Sequence, residues 1–196
     1  MTTLLITPEH VAIDTRGTTD QSTDDGVQKW HNIPNLGLIG FLVGSAATQF
    51  ELITRLRNGE AIENASERMK KNLPRYRQMF FLNKEGHIMQ FIPSTAKIIP
   101  FTHAWAGEHV LTDGSGMATV KGAYARLGKE DLDGVFLANS VMDKFSAPSY
   151  WLFDRATQKA SFHVNEKAVA RGLSRVSPIN YERFKALADT FNAELN

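Results

Sequence analysis

The sequence contains no cysteine. That excludes disulfides, thiolate metal sites and a cysteine nucleophile, and it fits a reducing compartment, so a cytoplasmic location is expected. Charge of one sign is not in excess. Lys and Arg number 22 against 21 Asp and Glu, which leaves a net charge of +1. A chain so balanced has no electrostatic bias toward nucleic acid or a membrane surface, and neither is expected as a partner. Long apolar runs are missing too. The longest, Leu36 to Ala47, is broken by Gly37, Gly40 and Gly44, short of the roughly 20 residues a spanning helix needs. The six histidines lack the His-Glu-x-x-His spacing, so no metal or other cofactor is expected. Gly114-Ser115-Gly116 lacks the third glycine of a dinucleotide fingerprint and reads first as a turn. Ser94-Thr95-Ala96-Lys97 fits Ser-x-x-Lys, but its Ser-Asp-Asn and Lys-Thr-Gly companions are absent. There is no repeat, low-complexity run or linker.

What is present is a soluble globular composition, 42% hydrophobic over 196 residues. A single domain spanning 1–196 is expected, large enough to bury roughly 70% of its unfolded surface. The chain is organised around Met1 to Arg16. Two short apolar runs there flank Thr7-Pro8-Glu9, which is a hairpin signal. A chain opening on a strand is expected to carry no signal peptide. A loop of Thr7, Pro8 and Glu9 would pair Ile6 with His10 and Thr2 with Asp14. Thr2, Leu4, Ala12 and Asp14 would then share one face. The same residues also fit an ordinary amphipathic hairpin. Removal of Met1 would give Thr2 a free α-amine beside its own hydroxyl, an arrangement that can activate a nucleophile.

Further along, Gly17 to Gly26 reads as a polar loop and Val27 to His31 as a short strand. Pro34-Asn35 marks a turn, and Leu36 to Val43 a strand buried on both faces. Helices are expected over Ala46 to Arg57 and Glu60 to Tyr76, the first stopped by Asn58-Gly59. Strands follow at Gln78–Leu82, His87–Ile92 and Ala96–Phe101. Helices are expected at Met117–Leu127 and Lys129–Met142, a hairpin at Ser149–Asp154 and Ala160–Val164, and a last helix from Pro178 to Ala193. That order suits two packed sheets with helices on their outer faces.

An ordered set of short motifs runs through this frame: Thr2-Thr3, Asp14-Thr15-Arg16, Val27-Gln28-Lys29, Gly44-Ser45-Ala46, Gly114-Ser115-Gly116 and Asp143-Lys144-Phe145-Ser146. In this order it resembles the proteasome β-subunit family of N-terminal nucleophile (Ntn) hydrolases, including its bacterial ring-peptidase relatives. Gln28 stands where that family has a lysine, Ser45 replaces one glycine of its Gly-Gly, and the first hairpin is shorter than usual.

The resemblance implies an α+β fold, a four-layer αββα sandwich. It implies a threonine-dependent amide hydrolase, a peptidase subunit of a homo-oligomeric ring that acts on a peptide or polypeptide, with an unfoldase or larger particle as a further partner. Thr2 would be the nucleophile and its amine the general base. Lys29 would keep that amine neutral and help move the proton, with Asp14 as its ion pair. The Gly44 N–H would stabilise the oxyanion. Ser115, Asp143 and Ser146 would form the polar support around the N-terminus. Gly17, Val27, Leu42, Ala46 and Phe50 would line an apolar substrate pocket. A catalytically silent structural subunit, or a small-molecule amidase on the same fold, would share these residues.

Overall fold

The computed structural model describes residues 2–18, 23–43, 46–69, 79–101 and 110–195, of 46 and 47 the backbone alone. The chain divides into two compact units. The first takes the described residues up to Gln28 and those from 110 onward; the second runs from Lys29 to 101.

The first unit is built on a five-stranded antiparallel sheet. Its strands are β1 (Thr3–Ile6), β2 (His10–Asp14), β10 (Leu111–Gly114), β11 (Tyr150–Asp154) and β12 (Ala160–His163), in the order β10-β1-β2-β11-β12. The opening hairpin forms, but its register is one residue from the sequence expectation. Leu4 pairs with Ile13, Leu5 with Ala12 and Ile6 with Val11. The loop therefore holds one residue more, Thr7 to His10. The cause is the Thr7 hydroxyl, which accepts the N–H groups of Glu9 and His10 while Thr7 N–H bonds the His10 carbonyl at 2.8 Å. A side chain that satisfies two turn donors stabilises the longer loop. The consequence is that Thr3, and not Thr2, stands opposite Asp14.

One face of this sheet packs on α3 (Met117–Leu127) and α4 (Leu132–Met142). Leu5, Ala12, Tyr150 and Leu152 meet Val120, Leu132, Val135 and Phe136 there. Trp151 and Phe153 lie on the other face by strand alternation. They meet Phe184 and Phe191 of α6 (Pro178–Glu194). Ser177 caps α6 by accepting the Asn180 N–H, and Pro178 fills its first turn, where a missing N–H costs nothing. Of the stripe read from the sequence, Phe184, Ala188 and Phe191 are buried and Tyr181 is exposed.

Several small elements escaped the sequence reading, strand β10 among them. Strands β3 (Gly17–Thr18) and β4 (Thr23–Asp24) pair within the expected loop. A short helix, α5 (Glu166–Ala170), is capped by the Asn165 side chain.

The second unit is an antiparallel meander of β5 (Trp30–Ile33), β6 (Leu38–Phe41), β7 (Met79–Asn83), β8 (Ile88–Ile92) and β9 (Lys97–Pro100), adjacent in chain order. Every residue of β6 is buried, as its apolar run requires. Helix α1 (Ala46–Arg57) and α2 (Ile62–Met69) bring Leu52, Ile53, Leu56, Ala65 and Met69 onto Leu42, Met79, Phe81 and Phe91. Gly40 permits the close approach: a Cβ there would stand 3.0 Å from Ile53 and 3.2 Å from Phe81. The second expected helix begins later than Glu60, and its end falls outside the described residues. Among the described residues no helix is long and apolar enough to cross a membrane.

These packings set opposite expectations for two α-helical positions. Phe184 is fully buried, with its ring 5.3 Å from Trp151 and 4.9 Å from Phe162. Phe184→Ala should cost about 3–5 kcal/mol. Gly122 lies in α3 with open space where a Cβ would go, so Gly122→Ala should add about 0.5–1 kcal/mol. Chemical denaturation of both variants checks the pair.

Candidate functional site

In the first unit, the N-terminal segment is held by four separate stretches of chain. Asp14, fully buried at the end of β2, accepts the Thr3 N–H on Oδ1 at 2.7 Å. Its Oδ2 accepts the N–H groups of Arg16 and Ala147 at 3.2 and 3.1 Å. The register shift thus removes a direct opposition of the Thr2 and Asp14 side chains. It leaves Asp14 bonded to the backbone next to Thr2.

The second stretch is Gly114-Ser115-Gly116. Ser115 N–H donates to the Thr2 carbonyl at 2.9 Å, while the Ser115 side chain faces solvent. Gly114 has φ +97°, and a Cβ on it would sit 1.8 Å from the Thr2 carbonyl oxygen. On Gly116 a Cβ would meet the Thr3 hydroxyl at 2.3 Å and the Asn139 amide at 2.6 Å. Both glycines are required, one for conformation and closeness, the other for closeness alone. The turn signal in the sequence therefore marks the cradle of the N-terminal segment.

The third and fourth stretches are α4 and the turn that follows it. Asn139, fully buried on α4, donates its amide to the Thr3 hydroxyl at 3.1 Å. That hydroxyl lies 2.5 Å from Ser146 Oγ, and Ser146 donates to Asp143 Oδ2 at 2.7 Å. Asp143 also shapes the turn, accepting the Phe145 N–H on Oδ1 and the Ser146 N–H on its carbonyl, both at 3.0 Å.

Behind this cluster sits a buried ion pair. Arg16 Nε and Nη2 donate to Asp25 at 2.6 and 3.0 Å, a bidentate fork. The same guanidinium donates to the carbonyls of Lys144 and Leu173. Asp25 in turn accepts the Arg175 N–H at 2.8 Å. The fork ties the Asp143–Ser146 turn to the β4 segment and the chain before α6.

Of the residues singled out in the sequence, Thr2, Asp14, Ser115, Asp143 and Ser146 belong to this cluster. Gly17 and Val27 lie in the same unit and crowd each other, since a Cβ on Gly17 would meet Val27 at 2.4 Å. The rest fall in the second unit. Lys29 is 3% exposed, a rare position for lysine, and its carbonyl accepts the Leu42 N–H at 2.8 Å. Leu42 is part of the apolar core of that unit. Phe50 is half exposed, its ring edge-on to His31 at 5.1 Å. Gly44 and the Ala46 side chain lie outside the described residues. An open hollow of about 820 Å³ in this unit is lined by residues such as Leu36, Glu60 and Lys84, and by none of Lys29, Leu42 and Phe50. No group of acidic residues and histidines among the described residues could hold a metal ion.

Sequence reading missed Asn139 and Asp25, and took Thr3 and Arg16 only as parts of motifs. Their partners lie up to 157 residues away in the chain. The one usable signal was the polar pair Asn139-Ser140 within the apolar run Val135 to Met142 of α4.

The ion pair predicts a double-mutant result. Asp25→Ala leaves a buried guanidinium unpaired and should cost about 3–5 kcal/mol. Replacing both, as Arg16→Met with Asp25→Leu, should recover most of that loss in a denaturation series. His31 gives a second test. Burial first, then the nearby Arg57, holds its imidazole down to about 4 from 6.5. Between those pH values the unfolded state binds a proton that the folded state refuses. Stability should therefore fall as pH drops from about 6.5 to about 4. His31→Gln should flatten the slope in that window, read from unfolding midpoints against pH.

No family model matches the sequence, and neither does any curated protein. Solved structures do match. The chain is similar to the crystal structure of eukaryotic HslV from Trypanosoma brucei, with a TM-score of 0.51 at 15% identity, covering 76% of this chain and 97% of that one. At that identity the likeness is one of fold: a mixed α/β architecture like that of HslV.

Proposed function

We propose that this chain is a threonine-dependent Ntn amide hydrolase, a proteasome-like peptidase subunit that works in a homo-oligomeric ring. The observation that carries the reading is the anchoring of the N-terminal segment, with Asp14 on the Thr3 N–H and the Gly114–Gly116 cradle on the Thr2 carbonyl. A scaffold that fixes the Thr2–Thr3 peptide at both its carbonyl and its N–H supplies the preorganisation a terminal nucleophile needs. The HslV-like fold supports the same reading.

In this proposal the chain forms one domain, 1–196, as a four-layer αββα sandwich, and cleavage after Met1 exposes Thr2. The free α-amine, with an ordinary pKa of about 7.7–8.0, is neutral enough at working pH to take the hydroxyl proton. Thr2 Oγ then attacks the substrate carbonyl, and the oxyanion is held by the Gly44 N–H. The protonated amine gives its proton to the leaving nitrogen as the C–N bond breaks. Water, deprotonated by the same amine, releases the acyl group and restores Thr2. Lys29 keeps the amine neutral by like-charge repulsion, and Asp14 balances Lys29. Gly17, Val27, Leu42, Ala46 and Phe50 form an uncharged pocket, so a peptide or polypeptide with an apolar residue before the scissile bond is the substrate. An unfoldase would deliver folded substrates, and the cytoplasm is the compartment.

Mass spectrometry of protein purified from its own cells, with and without a threonine-directed electrophile, tests this. The expected result is a chain beginning at Thr2 that gains one adduct there, and no adduct in Thr2→Ala. An intact Met1 without an adduct at residue 2 would overturn it and leave a catalytically silent structural subunit.

A further inference from the structure

Four side chains form a line in the first unit: Asn139, Thr3, Ser146 and Asp143. The directions of its hydrogen bonds follow from counting protons. A hydroxyl has one proton, and an ionised carboxylate has none to give. Ser146 spends its proton on Asp143 Oδ2 at 2.7 Å. The 2.5 Å contact between Thr3 and Ser146 must then carry the Thr3 proton. Thr3 Oγ1, having donated, accepts from Asn139 Nδ2 at 3.1 Å. Turning the Asn139 amide over would set its oxygen against the Thr3 hydroxyl. Either Thr3 would then give up its bond to Ser146, or two oxygens would face each other without a proton. The line therefore has one stable direction, from amide to carboxylate.

Its setting is dry. Thr3, Asn139 and Ser146 are fully buried, and Asn139 Oδ1 has no hydrogen-bond partner among the described residues. An orphaned buried acceptor costs on the order of 1–3 kcal/mol. The Asn is thus a poor choice for stability alone, since an apolar side chain on the helix would avoid the orphan. Gly116 packs closely against the line, since a Cβ on it would collide with both Thr3 and Asn139.

We propose that Asn139 and Thr3 are positioning residues, which fix the direction of this hydrogen-bond line and so set the orientation of the adjoining nucleophile, Thr2. This rests on the functional reading above. Asn139 pins the Thr3 hydroxyl toward Ser146, and Asp14 pins the Thr3 N–H on the other side. Residue 3 is then held at two points and residue 2 inherits its backbone direction. Neither residue touches substrate.

The test separates this role from simple packing. Thr3→Val with Asn139→Leu removes both partners and leaves no orphaned group from that bond, so folding stability should stay near that of the unaltered protein. The rate of electrophile addition at Thr2 should fall at least tenfold, while Thr3→Ser, which keeps the hydroxyl, should stay near the original rate. Asn139→Asp adds an anion and reverses the end of the line. It should shift the pH midpoint of addition upward, which a purely structural role would not do. Full addition rate in the double variant, folded, would overturn the proposal. Hydrogen exchange of the Asn139 side-chain amide by NMR provides a readout independent of activity. Protection is expected in the unaltered protein and should be lost in Thr3→Val. An amide that exchanges freely in the unaltered protein would overturn the line itself, even if Thr2 reacts. A protected amide with an inert Thr2 would support the line and reject only the hydrolase reading.

Discussion

A single buried carboxylate gives the first unit its organisation. Asp14 has no exposed surface and accepts N–H groups from Thr3, Arg16 and Ala147. Taking an anion out of water is costly unless its oxygens find donors. Backbone donors come fixed in place, so satisfying Asp14 means bringing three chain segments to one point. The N-terminal strand, the exit of β2 and the turn before β11 are joined in this way. The Arg16–Asp25 fork works one layer behind it. Arg16 is linked to Asp14 through its N–H and to the Lys144 carbonyl through its guanidinium. The same residue thus bonds both Asp14 and the Asp143–Ser146 turn, and displacing either acid would disturb the other.

Much of this fold is legible in the sequence because local chemistry and tertiary packing agree there. Asn58-Gly59 ends α1, the Asn83–Gly86 turn separates β7 from β8, and the apolar run before residue 44 becomes the fully buried β6. Where one local detail outweighs the pattern, the reading slips. The hairpin register turns on the Thr7 hydroxyl, which no periodicity reports. Strand β10 is four residues long, Leu-Thr-Asp-Gly, and takes its strand character from pairing with β1. The site divides along the same line. Residues fixed by motif, Asp14, Ser115, Asp143 and Ser146, could be singled out from the sequence. Thr3, Asn139 and Asp25 act through partners distant in the chain, and a polar residue on a helix gives no hint of which strand it will meet.

The geometry of the cluster depends on the helix hairpin beneath it. Helices α3 and α4 are each 11 residues long, or about 16 Å at 1.5 Å per residue. They are antiparallel neighbours joined by a short connection, so the start of α3 and the end of α4 lie level. Gly116 precedes the first and Asp143 follows the second, and equal lengths bring these two to the same height under β1. The far end of α4 is pinned independently. Asp133 accepts the Tyr150 hydroxyl at 2.9 Å, and its carbonyl accepts the Asn165 amide at 3.0 Å. With that end fixed, the number of residues in α4 decides where Asn139 and Asp143 arrive. One residue more or less would turn the following side chains by about 100° and move them 1.5 Å along the axis. Either displacement exceeds what a 2.5–3.1 Å hydrogen-bond line tolerates. Helix length, set by the Asp131 cap at one end and the Asp143 turn at the other, is therefore part of the site.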